Sequence, residues 1–370
     1  SLLLAYSPTV YVLCEGIWGN GNGSLWSISE DQIREEYDMV GDVSQSLYSY
    51  QDRLFIINNA SSNIKVYRHE NSGIFLDDVI DTNGSGPREM LVHNDMIFFT
   101  NWYSRDMKIL DLYSYEELGS VQFEYMPEDI VTDGESIWVS LMLKQDYSDA
   151  DKIVEIDPTT FQVIEEYIVG PGPNEMVVHN GSIYISRTFY DDSWNAFYGT
   201  SRIDSNGEIL IANYGQGSVC GGGVIRHNGS IYRSFNGGVA PIDDNLMLLE
   251  ADRIGNFDPN SVYSVNSING NIYFGLSDFA SSNYVAVVDS IGNDLGYYET
   301  GMLPGDFVKD DTCSIGGDLN IDFTVDILDV TTLLSYIIND DSELWCNPDI
   351  NSDTITNILD IIILINVILG

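Results

Sequence analysis

A short apolar strand with an aromatic at its second or third position recurs seven times, at Tyr11, Phe55, Phe98, Trp138, Tyr184, Tyr232 and Tyr273, at intervals of 40 to 48 residues. Such a repeat leaves few architectures open. Units of about 44 residues with four short strands each are small sheets that bury their faces only against neighbouring copies, which predicts an all-β propeller. Seven copies predict seven blades. Before most of these strands stands a turn pair, Asn94-Asp95, Asp133-Gly134, Asn180-Gly181, Asn228-Gly229 or Asn269-Gly270, with the chemistry of a tight hairpin.

Closure of the ring is also written in the chain. The strand before each hairpin carries a start signal in Gly86-Pro-Arg-Glu-Met90, Met126-Pro-Glu-Asp-Ile130 and Gly172-Pro-Asn-Glu-Met176, and Leu303-Pro-Gly-Asp-Phe307 repeats it without a following hairpin. The blade opened by Val10 to Leu13 lacks such a start. A strand near 301–308 is therefore expected to complete the N-terminal blade and leave no free sheet edge, giving a propeller over residues 1–309. This organisation resembles the secreted and surface seven-bladed propellers of the YncE-like and NHL types. Residues 10 to 25, Val-Tyr-Val-Leu-Cys-Glu-Gly-Ile-Trp-Gly-Asn-Gly-Asn-Gly-Ser-Leu, are similar to the first-blade signature of Bacteroidota-type surface propellers. The resemblance bears on fold, since propellers host many functions.

Nine residues before the aromatics stand Ser46, Glu89, Asp129, Glu175, Gly223 and Ser264, and the closing strand supplies Asp306 at the matching place. These positions are expected to face the central channel. The four carboxylates Glu89, Asp129, Glu175 and Asp306 could hold a cation or act as acid and base, or simply line a wet channel. Loops after the aromatic strands carry Trp18, Trp102, Tyr103, Tyr190, Trp194 and Tyr198. Aromatics beside Asp and Asn suit a carbohydrate ligand, unless the rings pack on one another.

The last sixty residues read differently. Asp318, Asn320, Asp322, Thr324, Asp326 and Asp329 occupy positions 1, 3, 5, 7, 9 and 12 of a twelve-residue loop, and Asp349, Asn351, Asp353, Ile355, Asn357 and Asp360 repeat the pattern. Alternate oxygen ligands, with a backbone carbonyl at position 7, match the spacing of a calcium loop, so two calcium ions are expected. Each loop runs into an apolar helix, Ile327 to Ile338 and Ile358 to Leu369. Two tandem loop-helix units, within 310–370, resemble a dockerin, apart from Phe323 and Thr354 at the sixth position where Gly is usual. The resemblance implies a protein partner, a cohesin-like domain, contacted around positions 10 and 11. Here those are Ile327, Leu328, Ile358 and Leu359, with Ile362 and Ile365 on the second helix, so an apolar contact is expected; another copy of this chain is the alternative partner.

Charge narrows the partners. With 57 acidic against 15 basic residues the net charge is -42, and no Lys or Arg follows Lys309. Repulsion excludes nucleic acid, and the twelve-residue final helix is too short to span a bilayer. The acidity and the absence of a leader beyond Leu2 to Ala5 suggest an exported, processed chain, secreted or at the cell surface. Export permits disulfides: Cys313 and Cys346 flank the first calcium loop and its helix, and closing that loop would contribute roughly 3 to 4 kcal/mol. Cys14 and Cys220 are left open. The histidines His93, His179 and His227 repeat one pre-turn position, which argues against a shared zinc site. No catalytic signature occurs.

Three functions follow from these readings. The first is a noncatalytic extracellular binding and assembly protein whose propeller presents a surface and whose calcium module attaches it to another chain. The second is a self-assembling subunit of a fibre, sheath or surface layer. The third is a propeller lyase or hydrolase acting on a polysaccharide or lactone.

Overall fold

The computed structural model describes residues 9–29, 32–70, 73–217, 223–281, 283–310, 316–320, 324–339, 344, 346–351 and 355–369. They form seven antiparallel sheets around an axis: six have four strands and the sixth blade has three. In blade one the closing strand Pro304–Lys309 lies innermost against Val10–Cys14, pairing Val10 with Lys309 and Leu13 with Asp306. N- and C-terminal segments of the ring therefore share one sheet.

The recurrent aromatics serve packing between blades. Phe98 and Met107 of blade three share a cluster with Ile130, Ile137 and Val139 of blade four, and Trp138 of blade four joins Ile183 and Ile185 of blade five. Full burial of a ring such as Phe98 is worth about 2–3 kcal/mol. The hairpins follow turn chemistry. Asn94-Asp95, Asn180-Gly181, Asn228-Gly229 and Asn269-Gly270 have positive φ at both positions, as a two-residue type I′ turn requires. The His before the turn contacts the side-chain nitrogen of the turn Asn at His93, His179 and His227. These histidines thus brace hairpins. Asp133-Gly134 departs from the pattern: only Gly134 has positive φ, and the Asp133 carboxylate caps the amides of Glu135 and Ser136 in a longer loop.

After the ring come two helices, α1 (Ile327–Asn339) and α2 (Ile358–Leu369). Leu319, Val330 and Leu333 pack against Ile361 and Leu364, with Ile350 and Ile365 partly covered at the edge. The pairs Leu319 and Ile350, Val330 and Ile361, Leu333 and Leu364 repeat one spacing, so the small core has internal two-fold character. No helix among the described residues is long and apolar enough to cross a membrane.

Candidate functional site

The channel wall is made where the innermost ladders break. Pairing with the second strand is interrupted between Ser44 and Ser46, Pro87 and Met90, Pro127 and Ile130, Pro173 and Met176, Val262 and Ser264, and at the closing strand beside Asp306. A bulge frees side chains from the alternation of the strand and re-aims them. The residues so released, Gln45, Arg88 with Glu89, Glu128 with Asp129, Asn174 with Glu175, Tyr263, and Gly305 with Asp306, line a cavity of about 630 Å³. All four carboxylates expected at the channel are there. Ser264 also lines it, whereas Ser46 is turned to the next blade and its hydroxyl donates to the Arg88 carbonyl at 2.8 Å.

The four acids divide into two kinds. Asp129 accepts from its neighbour Ile130 N (2.7 Å) and from Met176 N of the next blade (2.5 Å). Asp306 does the same with Phe307 N and with Leu47 N of blade two, both at 2.7 Å. Asn266 repeats the arrangement between blades seven and one, accepting from Ser267 N and donating to the Phe307 carbonyl. These are clasps between blades. Glu89 and Glu175 have no such anchor, and their carboxyl groups make no hydrogen bond within the described structure.

Burial raises all of them. Asp129 and Asp306 are pushed up to about 7, first by desolvation, even though their backbone donors pull the other way. Glu175 is pushed up to about 8 by desolvation and then by the charge of Asp129. Desolvation, Asp306 and Asp129 likewise hold Glu89 well above the ordinary carboxylate range. The sequence pattern did not single out two partners of this group. Glu15, pushed up to about 7 by burial, closes one side of the cavity beside Gly305. Glu128 forms an ion pair with Arg88, whose guanidinium lies 4.0 Å over the Trp102 ring and also meets Gln45, while Trp102 Nε1 donates to Glu128 at 2.7 Å. The recurrent Pro-x-acid-apolar signal pointed at the acid; the residue before it faces the channel as well.

Of the aromatics expected on the ligand face, Trp18 (77% exposed), Tyr103, Tyr190 and Trp194 (76%) are open to solvent, with Tyr190 and Trp194 rings 6.1 Å apart, and Tyr190 and Trp102 line the cavity. Trp102 is partly covered by Arg88. Tyr198 departs from the expected ligand face: it is buried against Tyr214 at 5.5 Å, because the Arg233 guanidinium of blade six closes over it. Phe189 and Phe197 stack on each other.

In the C-terminal region, Asp329 accepts from Leu319 N (2.7 Å), Asn320 N (3.1 Å) and Asp326 N (2.8 Å). Asp360 repeats this with Ile350 N (2.9 Å), Asn351 N (3.1 Å) and Asn357 N (2.8 Å). Position 12 of each loop therefore ties positions 2, 3 and 9. Asp326 and Asn357 cap the helix starts through Leu328 N and Leu359 N. Asp318, Asp329, Asp349 and Asp360 are all buried. Thr324 and Ile355 follow stretches that are not described; Asp322, Asp353, Phe323 and Thr354 lie outside the described residues. Among the described residues no group of three His, Cys, Asp or Glu side chains is placed to hold a metal ion.

Ile327, Leu328, Ile358, Leu359 and Ile362 are exposed. Ile365 is not part of that surface, since the turn of α2 directs it to the small core. Cys346 is disulfide-bonded, while its expected partner Cys313 lies outside the described residues. Cys14 is a free, buried thiol among the described residues, and Cys220 lies outside them.

The sequence matches no family model and no curated protein. Similarity to solved structures extends over most of the chain. A protein from Lactobacillus plantarum is 10% identical with TM-score 0.62, covering 82% of this chain and 99% of its own. A protein from Bacteroides uniformis described as a candidate 6-phosphogluconolactonase is 13% identical with TM-score 0.60, covering 82% and 99%. A similarly described protein from Bacteroides fragilis NCTC 9343 is 14% identical with TM-score 0.56, covering 84% and 99%. At this identity the likeness establishes one thing, the seven-bladed propeller fold.

Proposed function

We propose that this is a noncatalytic extracellular binding and assembly protein, in which the propeller presents a ligand or packing surface and a calcium-loaded, dockerin-like module attaches it to another protein. The observation that carries the reading is the duplicated fastening of the module: Asp329 and Asp360 each gather three backbone amides of their own loop at the same positions. The donor chemistry fits calcium. Asp318 (3% exposed), Asp329, Asp349 and Asp360 are buried in a segment that has no Lys or Arg after Lys309, and buried carboxylates need a compensating cation. Asp318, Asn320, Asp326, Asp349, Asn351 and Asn357 would hold the ions with the carbonyls of Thr324 and Ile355. Bound calcium would supply the positive charge that the module itself lacks. The exposed Ile327, Leu328, Ile358, Leu359 and Ile362 supply an apolar face for the partner.

Sedimentation velocity in millimolar calcium, and again after chelation, tests the reading. Calcium-dependent attachment to a cohesin-like partner, or calcium-dependent self-association into large species, is expected. A module whose sedimentation, partner binding and protease resistance ignore calcium would remove it. A second reading, a lyase or hydrolase on a polysaccharide or lactone, draws support from Asp129, Glu175 and Asp306 being held near neutrality. Turnover of such substrates that survives in a Glu89→Gln, Glu175→Gln double variant would eliminate those two glutamates as its acid and base.

A further inference from the structure

The channel contains more acid than its architecture uses. Asp129 and Asp306 fasten blades, and Glu128 is neutralised by Arg88. Glu89 and Glu175 clasp no blade and form no ion pair within the described structure: they face the cavity, their carboxyl groups make no hydrogen bond there, and Arg88 and Arg233 act on them only through space. Carboxyl groups that border a cavity without a hydrogen-bond donor from the protein are open to a ligand that completes them.

Gly223 is a second and independent sign. A Cβ at that position would lie 1.5 Å from Glu175 Oε2, so the glycine leaves the space into which the carboxyl is folded. The ring position of blade six is thereby vacated for an acid from blade five. The cavity, about 630 Å³, is of the size that encloses small molecules. Its lining includes Tyr190 and Tyr263 with the acids.

We propose that the channel binds a protonated organic amine, with the ammonium donating hydrogen bonds to Glu89 and Glu175 and the carbon chain lying toward Tyr190 and Tyr263. A single metal ion fits less well. It needs several carboxylates converging on one point, and among the described residues no such group exists, since Asp129 and Asp306 are already engaged by backbone amides. An alkylammonium, by contrast, can reach separate carboxylates and gains from an aromatic face. This site is independent of the C-terminal module, and its failure would leave the attachment reading intact.

Isothermal titration of the full chain, calcium-loaded at physiological salt and about pH 9, above the value of Glu175 and still below that of an alkylammonium, with 1,5-diaminopentane as probe and 1,5-pentanediol as neutral control, tests it. Saturable one-to-one binding of the diamine and none of the diol is expected. Glu89→Gln and Glu175→Gln should each weaken binding at least about tenfold, and Gly223→Ala, which displaces the Glu175 carboxyl, should weaken it too. No saturable diamine binding would overturn the proposal. So would equal affinity in the Gln variants, which would assign the attraction to the diffuse charge of the chain, or complete displacement of the diamine by added calcium, which would assign the channel to a metal. If a Gln variant fails to fold, the contrast between diamine and diol on the parent chain still decides.

Discussion

The ring and the C-terminal module solve the same problem of burying acid in opposite ways. In the ring, Asp129 and Asp306 sit among backbone donors at the seams between blades, Glu128 has Arg88, and six apolar clusters surround them. Its acids are a small charge on a large core. Among its described residues the module has one apolar cluster and the buried loop aspartates Asp318, Asp329, Asp349 and Asp360, and the chain carries no basic side chain after Lys309. There the acids outweigh the core. The large repetitive ring tolerates unneutralised carboxyls by shifting their protonation, while the small module, on the reading proposed above, would take an external cation.

The largest effect expected from this contrast is on chelation. Removing calcium should speed proteolysis between residues 310 and 370 by at least about tenfold while leaving the ring uncut, read by mass spectrometry of the fragments. Asp329→Ala, which strands three amides, should cost the module about 3 kcal/mol or more and mimic chelation. Equal cleavage of both regions would erase the distinction.

Next in size is the ring's own ion pair. Arg88→Ala leaves Glu128 buried without its partner and should cost about 3–5 kcal/mol in denaturant unfolding, independent of calcium. A calcium-dependent loss would mean that the two regions are energetically linked.

pH separates the regions more gently. The folded values of Glu15, Asp129 and Asp306, about 7, and of Glu175, about 8, lie above those of unfolded carboxylates. The folded ring therefore binds more protons than the unfolded chain. Their stabilising contribution is complete below about pH 4 and is lost as pH rises through 7 to 8. The ring's melting temperature should fall between those limits, and Glu175→Gln should raise it by about a few degrees at the alkaline end. A flat profile would count against the raised values.

The smallest expected effect distinguishes the two sides of α2. Ile362→Asp, on the exposed side, should change stability by less than about 0.5 kcal/mol while reducing self-association or partner binding. Ile365→Asp, against the small core, should cost about 2 kcal/mol. If Ile362→Asp leaves association unchanged, the exposed face is not the contact.

Blade number was legible because Phe98 and its counterparts must pack between sheets at a fixed repeat, and because the turn at Asn180-Gly181 and its counterparts has one conformation open to it. The channel acids were legible through Pro-x-acid-apolar. What escaped was set by contacts across blades. Glu15 is enclosed beside Gly305 of the closing strand, nearly the whole ring away in sequence. Tyr198 had the composition of an exposed loop aromatic, and its burial depends on Arg233, a residue with no local signal. A bulge also breaks the two-residue alternation on which face assignments rest, so Arg88 and Glu128 could not be placed by counting.

The strand that completes blade one would also bear the weight of whatever the module held. Pro304–Lys309 lines the channel at Gly305, Asp306 and Phe307 and ends at Lys309, whose Nζ meets the Leu344 carbonyl of the module at 2.5 Å. A pull directed along this strand would load an innermost element held between Val10–Cys14 and the clasp at Leu47. Its ladder bonds would be loaded together in shear instead of peeling one by one. Single-molecule pulling from the module should record one high-force rupture, where a series of small ones would mean that the strand unzips. In that respect the last strand of the propeller is its mechanical anchor.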